Sequence, residues 1–563
     1  MGSEHDLTRM GAALRLLRDR GFTDLPRKGA TRRFEGPLPY ARGSVRIRLE
    51  IDDWDFVEYP RIVLLEAPED TPALLPHINA IGGFCYLAAG LAILDRYHPD
   101  HALAQCLDKA AEELNRLATD PQYRQGEFQS EFGASWNIGQ IPMPWPILLG
   151  SIESQGRQVQ GWLVGDAGQR SLAIGGKAEE IEGLCRARGW PAPATSASTC
   201  WIVRSDAMPT LPKTGLPRHL GEMFSWIRSW DRHAYGEIQR VLGERAYLAE
   251  PNLIVLLHTP AGWFGFMLEL DEVKRKYYRR KPTFMRQSLH RQADTLAIQR
   301  LAAEEISSDF VHSRNLTYPS LKNRKITVIG CGAIGGYLVQ ALAKLGAGTG
   351  SGELVVVDPD LLGAENLGRH LLGFESFQLP KAQALKQLLQ HQFPSSRVTA
   401  HPRSAYPLAD LKGDLVIDAT GEEAFSEAIN FQRLSLPEDI RPPLLHVWLL
   451  GNGQCIQSLW QDTAKFACFR CLRRNDGTRA PRFEVLREQD QVKILGCHAF
   501  TPYAVSAPMS AAALAVDSII DWLKSGAPSP RFRTRYAENH TSRQVKSQDL
   551  QPLAGCPACQ AQS

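Results

Sequence analysis

The chain has 563 residues, with 64 Lys and Arg against 61 Asp and Glu, 44% hydrophobic residues and 22% charged ones. That length holds about three or four domains, and a formal charge of +3 excludes a global attraction for nucleic acid. No segment has the ~18 consecutive apolar residues of a bilayer span and the start MGSEHDLTRM lacks a secretory pattern, so a cytoplasmic protein with no membrane partner is expected. Eleven cysteines are too sparse for a disulfide scaffold. Four of them stand in two C-x-x-C pairs, which points to reduced thiols and a metal.

Residues 1–150 open on a helical pattern around Leu7 to Asp19. Val45, Ile47, Leu49 and Ile51 then alternate with Arg46, Arg48 and Glu50, the period of a half-buried strand. A second apolar run, Ile62 to Leu65, follows Tyr59 and Pro60, and Pro99 is placed to start a helix carrying Leu103, Leu107, Leu114 and Leu117. Between them, Leu75 to Tyr86 aligns without a gap to the ubiquitin-conjugating-enzyme motif H-P-N-I-x-x-x-G-x-I-C-L, and Tyr59-Pro60 is similar to that family's Y-x-x-P-P region. The resemblance implies that Cys85 carries a thioester. It also implies that His77, where the family has an asparagine, donates a hydrogen bond to the oxyanion or acts as a base. A free cysteine between Phe84 and Tyr86 reads in isolation as a small buried residue. An activating domain in the same chain favours catalysis instead. Cys106, on the helical pattern, reads as core.

Residues 151–305 read as an α/β connecting domain of unassigned role, with a Pro-rich stretch at Pro209 to Pro217 and a hairpin of Leu253–Leu257 and Trp263–Leu268. The basic run Lys274, Arg275, Lys276, Arg279, Arg280 and Lys281 reads as a solvated helix face rather than a nucleic-acid site.

From Ile326, strands alternate with helices, the pattern of a parallel, doubly wound sheet across residues 306–530. Gly330, Gly332 and Gly335 form G-x-G-x-x-G between a strand and a helix, where backbone N–H groups reach phosphates. Alone the motif favours a dinucleotide. Asp358, Asp360, Asn366, Arg369 and Lys381 then add cationic and polar groups at the strand ends, which suit a triphosphate. This run resembles the ThiF/MoeB-type adenylation domain of ubiquitin-activating enzymes. The resemblance implies that Asp358 binds ribose, Asn366 and Arg369 bind phosphates, and Lys381 contacts pyrophosphate, with Arg314 lent to the triphosphate across a homodimer. The family's magnesium aspartate is replaced by Gly421, which leaves Asp418, Glu422 or Glu423 as substitutes.

Cys497, before an apolar helix at Ala511 to Trp522, resembles the activating enzymes' catalytic cysteine, with His498 placed to lower its pKa. Cys468, Cys471, Cys556 and Cys559 supply the thiolates of a structural Zn2+, the second knuckle lying in a tail of residues 531–563. The expected fold class is therefore α/β multidomain, with an N-terminal α+β conjugating-like domain, a connector and a C-terminal Rossmann-like adenylation domain with a zinc-clipped tail. The order resembles the fused activating and conjugating protein of bacterial CBASS anti-phage systems. That resemblance implies ATP and Mg2+, an acyl donor that is the C-terminus of a cyclic-oligonucleotide synthase (CD-NTase), and target lysines as acceptors. A ubiquitin-like or sulfur-carrier protein is the alternative donor.

Overall fold

Alternation decides the first sheet: Val45, Ile47, Leu49 and Ile51 are all buried while Ser44, Arg46 and Arg48 turn outward or to the rim. In the computed structural model, five antiparallel strands run in order: β1 (Thr23–Lys28), β2 (Thr31–Tyr40), β3 (Gly43–Ile51), β4 (Arg61–Leu64) and β5 (Gly83–Phe84). The helices α1 (Glu4–Asp19) and α2 (Pro99–Thr119) cover one face, and Cys106, Leu107 and Leu114 of α2 enter the same core as Leu49 and Phe84. Residues 4–88, 90–138, 146–153, 157–166, 168, 170–175, 177–193, 198–243, 252–281, 283–406, 411–487, 491–495 and 498–560 are described. They divide into two units, residues 1–176 with 193–305, and residues 177–192 with 306–563.

Two short helices, α3 (Pro121–Ser130) and α4 (Phe132–Trp136), join this sheet to the rest of the first unit. Asp120 caps α3, accepting from the N–H groups of Gln122 and Tyr123. Phe128, Phe132 and Trp136 leave the sheet's core and enter the aromatic cluster of Trp226 and Phe264. The region read as an α/β connector is a closed barrel. Its strands are β6 (Ile147–Leu149), β7 (Gln158–Gly165), β8 (Arg170–Gly175), β9 (Ser198–Arg204), β10 (Asn252–Thr259), β11 (Gly262–Glu269) and β12 (Gln299–Glu305). The hairpin expected at 253–268 is β10 and β11, in register from Asn252 opposite Glu269 to Thr259 opposite Gly262.

One helix of this stretch, α5 (Ala178–Arg188), packs in the second unit, where a Cβ on its Gly183 would lie 2.9 Å from Pro394. The barrel carries α6 (Leu220–Trp230), α7 (Arg232–Val241), α8 (Glu272–Arg280) and α9 (Thr283–Arg291). The basic run falls on α8, with Lys274 paired to Asp271 and Lys276 to Glu272.

The second unit follows the βα alternation. After α10 (Ser308–Ser313) come β13 (Lys325–Ile329), α11 (Ala333–Lys344), β14 (Glu353–Val357), α12 (Ala364–Leu367), α13 (Lys381–Gln392), β15 (Val398–His401), β16 (Leu415–Asp418) and α14 (Glu423–Ser435). It closes with β17 (Leu444–Leu450), β18 (Cys455–Gln461), the hairpin β19 (Lys493–Leu495) and β20 (His498–Phe500), α15 (Ser506–Ser525) and β21 (Phe532–Tyr536). The seven-stranded sheet has the order β15-β14-β13-β16-β17-β18-β21, parallel as far as β17. Connections leave β13 toward β14 on one side and reach β16 on the other. The crevice where the order reverses is thus at the C-terminal ends of β13 and β16. Among the described residues no helix is long and apolar enough to cross a membrane.

Candidate active site

Two places in the chain gather the candidate catalytic and binding residues. The first is the loop before and after β5. Cys85 is exposed, and its N–H donates to the carbonyl of His77 at 2.8 Å. Asn79 shapes the turn between them, its Oδ1 accepting from Ile81 N at 3.1 Å and Gly83 N at 2.8 Å. Tyr86 is anchored by its hydroxyl on Pro60 O (2.8 Å), and Tyr59 by its hydroxyl on Ala92 O (2.6 Å). His77 has a left-handed backbone, φ 63°, a conformation that costs a non-glycine residue about 1 kcal/mol.

The His77 ring is walled by carboxylates. Nε2 hydrogen-bonds Glu127 Oε2 at 3.1 Å with Glu113 Oε1 at 3.7 Å, and Nδ1 lies 2.9 Å from Glu131 Oε1. The last contact is out of line for a hydrogen bond, so Nδ1 is buried beside a carboxylate without a bonded partner. Burial first, then Glu131 and Glu113, hold the Cys85 thiol above the ordinary thiol range.

The second place is the crevice at β13 and β16. Gly330 has φ 91°, and a Cβ there would meet Thr420 N at 2.8 Å. One on Gly335 would lie 1.8 Å from Gly330 O, so α11 approaches the loop as closely as only glycine permits. Gly332 caps α11 and faces open space. Asp358 lies at the end of β14, accepting from Cys331 N at 2.6 Å and Asp360 N at 2.8 Å. Burial pushes its carboxyl up against the downward pull of those two N–H groups. Lys381, 7% exposed, pairs with Asp360 at 2.9 Å. The guanidinium of Arg369 lies 5.0 Å from the ring of Tyr503, and Asn366 Oδ1 accepts from Gly363 N at the start of α12.

Asp418 departs from the expectation of a magnesium ligand. It is 1% exposed, and its oxygens accept from Thr420 Oγ1 (2.6 Å) and Ser426 and contact His446 Nδ1 at 2.8 Å. Burial pushes this carboxyl up, but the bonds from His446, Ser426 and Thr420 outweigh it and leave it below the usual range. Its lone pairs are spent inside the protein. Gly421 has φ 69°, Glu423 pairs with Arg473, and Glu422 is exposed at the start of α14. A cavity of about 390 Å3 opens at Gly421 and Glu423 and runs between Trp448, Phe469, Phe483 and Phe532.

The four zinc candidates converge. Cys468, Cys471, Cys556 and Cys559 place their sulfurs within 4.8 Å of one another, with Cys468 to Cys471 at 3.8 Å, Cys468 to Cys556 at 3.9 Å and Cys471 to Cys559 at 3.6 Å. Four Zn–S bonds of about 2.3 Å in a tetrahedron require edges of about 3.8 Å, so the set fits that ion. Hydrogen bonding within the set pulls Cys471 and Cys556 below the ordinary thiol range and leaves Cys468 and Cys559 above it. Cys497 lies outside the described residues. On either side of it β19 and β20 pair, Leu495 opposite His498. Arg314 is exposed at the end of α10, its guanidinium 5.3 Å from the Phe310 ring. Cys106 is fully buried, and burial pushes its thiol up to about 11.

Several participants had no signal in the sequence. Glu113, Glu127 and Glu131 read as ordinary helix charges until the fold sets them around His77. His370 holds the nucleotide loop: Leu372 N–H donates to its Nδ1 at 3.0 Å, so Nε2 carries the proton given to Cys331 O at 2.7 Å. Burial lowers its pKa and keeps that neutral form. His446 is visible only as a polar residue within an apolar strand.

Comparison with known proteins finds relatives for both of the regions that hold these loops. Residues 303–558 match the ThiF family and residues 17–140 match the prokaryotic E2 family B. The "ATP-dependent ubiquitin transferase-like protein Cap2" of Pseudomonas aeruginosa is 28% identical over 527 residues, 90% of this chain and 90% of that protein. The protein of the same name from Escherichia coli is 23% identical over 92% of this chain and 91% of its own length, and that from Vibrio cholerae 28% identical over 61% of each. The chain is thus a homologue of these transferase-like proteins, an ATP-dependent adenylating enzyme that joins a ubiquitin-conjugating-like domain to a ubiquitin-activating-like ThiF domain in one polypeptide.

Proposed function

We propose that the chain activates the C-terminal carboxylate of a partner protein and transfers it through two thioesters to an amine. The carboxylate attacks the α-phosphorus of ATP at the Gly330 loop and expels pyrophosphate, giving an acyl adenylate. The thiolate of Cys497 attacks the acyl carbon and releases AMP. Cys85 takes the acyl group by exchange, which frees Cys497, and a lysine amine forms the amide, which frees Cys85. One observation carries this reading: an exposed cysteine on the conjugating-like loop and a nucleotide crevice at a topological switch point occur in the same chain.

Gly332 and the start of α11 receive phosphate, Lys381 and Arg369 supply positive charge, and Asp358 takes the ribose hydroxyls. Arg314 completes the triphosphate site from a second copy in a homodimer. Magnesium is held through Glu422 or Glu423, since Asp418 is spent internally. The cavity opening at Gly421 seats the tail of the acyl donor beside the crevice. Zinc on the four cysteines ties the tail after β21 to the segment after β18 and stands apart from the chemistry. The domains divide near 150, 305 and 530, and the protein works in the cytoplasm.

The acyl donor is a protein ending in a free, extended tail: the C-terminus of a cyclic-oligonucleotide synthase in anti-phage signalling, or a ubiquitin-like protein. Incubation of the full chain with ATP and each candidate, followed by a non-reducing gel, tests the scheme. A thiol-sensitive adduct is expected with one of them. An adduct that survives Cys85→Ala combined with Cys497→Ala refutes the two-thioester route.

A further inference from the structure

The first unit holds a feature that the transfer scheme leaves unused. Glu127 and Glu131 lie one turn apart on α3 and its C-terminal cap, about 100° around the helix from Phe128 and Phe132, which are locked in the aromatic cluster against the barrel. The helix is thereby a fixed platform, and the platform presents its carboxylates to both nitrogens of one imidazole. From α2, Glu113 joins them, itself held by the Tyr123 hydroxyl at 2.7 Å and by Arg116 at 3.9 Å. Arg116 is spread over the Tyr123 ring, 3.7 Å from its centre. The charged groups on the His77 ring are therefore Glu113 from α2, Glu127 from α3 and Glu131 at its cap, with Arg116 and Tyr123 against Glu113, and Cys85 on the loop that His77's carbonyl holds. Three carboxylates face one guanidinium. An anionic wall of this kind beside a nucleophilic cysteine repels an anionic acceptor and gathers a cationic one.

Resting on the transfer reading above, we infer that Glu113, Glu127 and Glu131 are positioning residues that make the Cys85 loop a receiving site for a primary alkylamine arriving as its ammonium, with His77 as the base. Hydrogen-bonded through Nε2 to Glu127, the ring turns a buried Nδ1 toward Glu131, and that pair accepts a proton. The amine arrives as R–NH3+ and gives one proton to His77 Nδ1, whose cationic form Glu131 stabilises. Its nitrogen then bonds the thioester carbon, the carbon–sulfur bond breaks, and the second nitrogen proton passes to the Cys85 sulfur. The products are an amide, a thiol and one proton held by the base. The raised thiol range of Cys85 suits the last step, since the same carboxylates favour the protonated sulfur. In this geometry His77 serves as a base, because its Nε2 is already committed to Glu127.

The test loads Cys85 directly, without the adenylation half. The full chain is incubated with the mercaptoethanesulfonate thioester of acetylglycine, and the acyl group on the Cys85 peptide is followed by mass spectrometry. Nα-acetyl-lysine amide, a cation, and hydroxylamine, neutral at pH 7, are then compared as acceptors across pH 6 to 9. Combined Glu127→Gln and Glu131→Gln is expected to slow transfer to lysine about tenfold or more while sparing hydroxylamine. His77→Asn is expected to remove the step in the lysine pH profile. Wild-type lysine transfer with an unchanged pH profile in the double variant overturns the inference, and so does equal slowing of both acceptors, the mark of a merely structural role. If the double variant does not fold, Glu113→Gln alone must slow lysine selectively, and a wild-type rate there overturns it equally. Failure of any protein donor to form an adduct with ATP would count against the proposed function and leave this comparison standing.

Discussion

The Cys85 loop and the Gly330 crevice, the two candidate sites, are built in opposite ways. The crevice is assembled from strand ends that follow one another in sequence: Gly330 after β13, Asp358 after β14, Thr420 after β16. Its fit is steric, and the two backbones meet so closely that side chains are excluded. The Cys85 loop is electrostatic. Its charges come from helices 28 to 46 residues downstream of Cys85, at Glu113, Glu127 and Glu131, and are packed around one strained histidine. Backbone geometry makes the first site intolerant of added atoms, whereas the second depends on which charges are present.

The steric site breaks first. Gly335→Ala places a methyl 1.8 Å from Gly330 O, closer than any real Cβ contact, so the loop backbone must move. Pyrophosphate exchange with ATP is expected to fall at least about a hundredfold, the loss typical of removing preorganised phosphate or oxyanion donors. Thioester loading of Cys85 from a small-molecule donor should be untouched. Next comes Asp418→Ala, which strands His446, Ser426 and Thr420 in a fully buried pocket at a cost of about 3–5 kcal/mol, measurable by chemical denaturation. Because the Asp418 carboxyl titrates below its unfolded value, its contribution is present above the unfolded pKa and is lost as pH falls through the folded one. The wild type should therefore lose this stability on acidification below about pH 4, and the variant should not.

What the sequence made legible follows the same division. Glycine spacing, strand-end carboxylates and paired C-x-x-C motifs are local patterns, and Gly330, Asp358, Lys381 and the four clustered cysteines all lie where local chemistry put them. The barrel was not legible. Its β6 has three residues and pairs with β12 more than 150 residues later, so no periodicity within a window could announce it. The three glutamates around His77 were hidden for a related reason: two carboxylates four residues apart are what any solvated helix face shows. Asp418 was one of three carboxylates left open as the magnesium ligand, and its internal partners were hidden because Ser426 comes from α14 and His446 from the pairing of β16 with β17.

The cysteine cluster separates structure from chemistry within the second unit. Cys468→Ser should release about one zinc per chain, read by a chromogenic chelator, and lower the unit's melting temperature by roughly 10 °C. Pyrophosphate exchange per folded molecule should persist. A smaller effect tests the electrostatic site: Glu113→Gln or Glu131→Gln removes a charge that holds the Cys85 thiol up, so more thiolate forms at a given pH. Alkylation of Cys85 by iodoacetamide at pH 8 should accelerate for each change, with the inflection moving to lower pH, although burial keeps the thiol above its ordinary range.

The smallest expected effect bears on the boundary between the two kinds of site. Gly421 stands where the resemblance to activating enzymes implies a metal-binding aspartate, and its φ of 69° explains why a side chain is disfavoured there. Space does not forbid one, since a Cβ at Gly421 would meet nothing within 4 Å. Aspartate tolerates the left-handed region better than most residues, so Gly421→Asp should cost only about 1 kcal/mol of stability. The new carboxylate would stand beside Glu422 and Glu423 at the mouth of the crevice. If magnesium is held there, half-maximal pyrophosphate exchange should require less magnesium in the variant than in the wild type. An unchanged magnesium requirement would place the ion elsewhere, and the crevice would then owe its fit for the triphosphate to Lys381, Arg369 and the glycine loop alone.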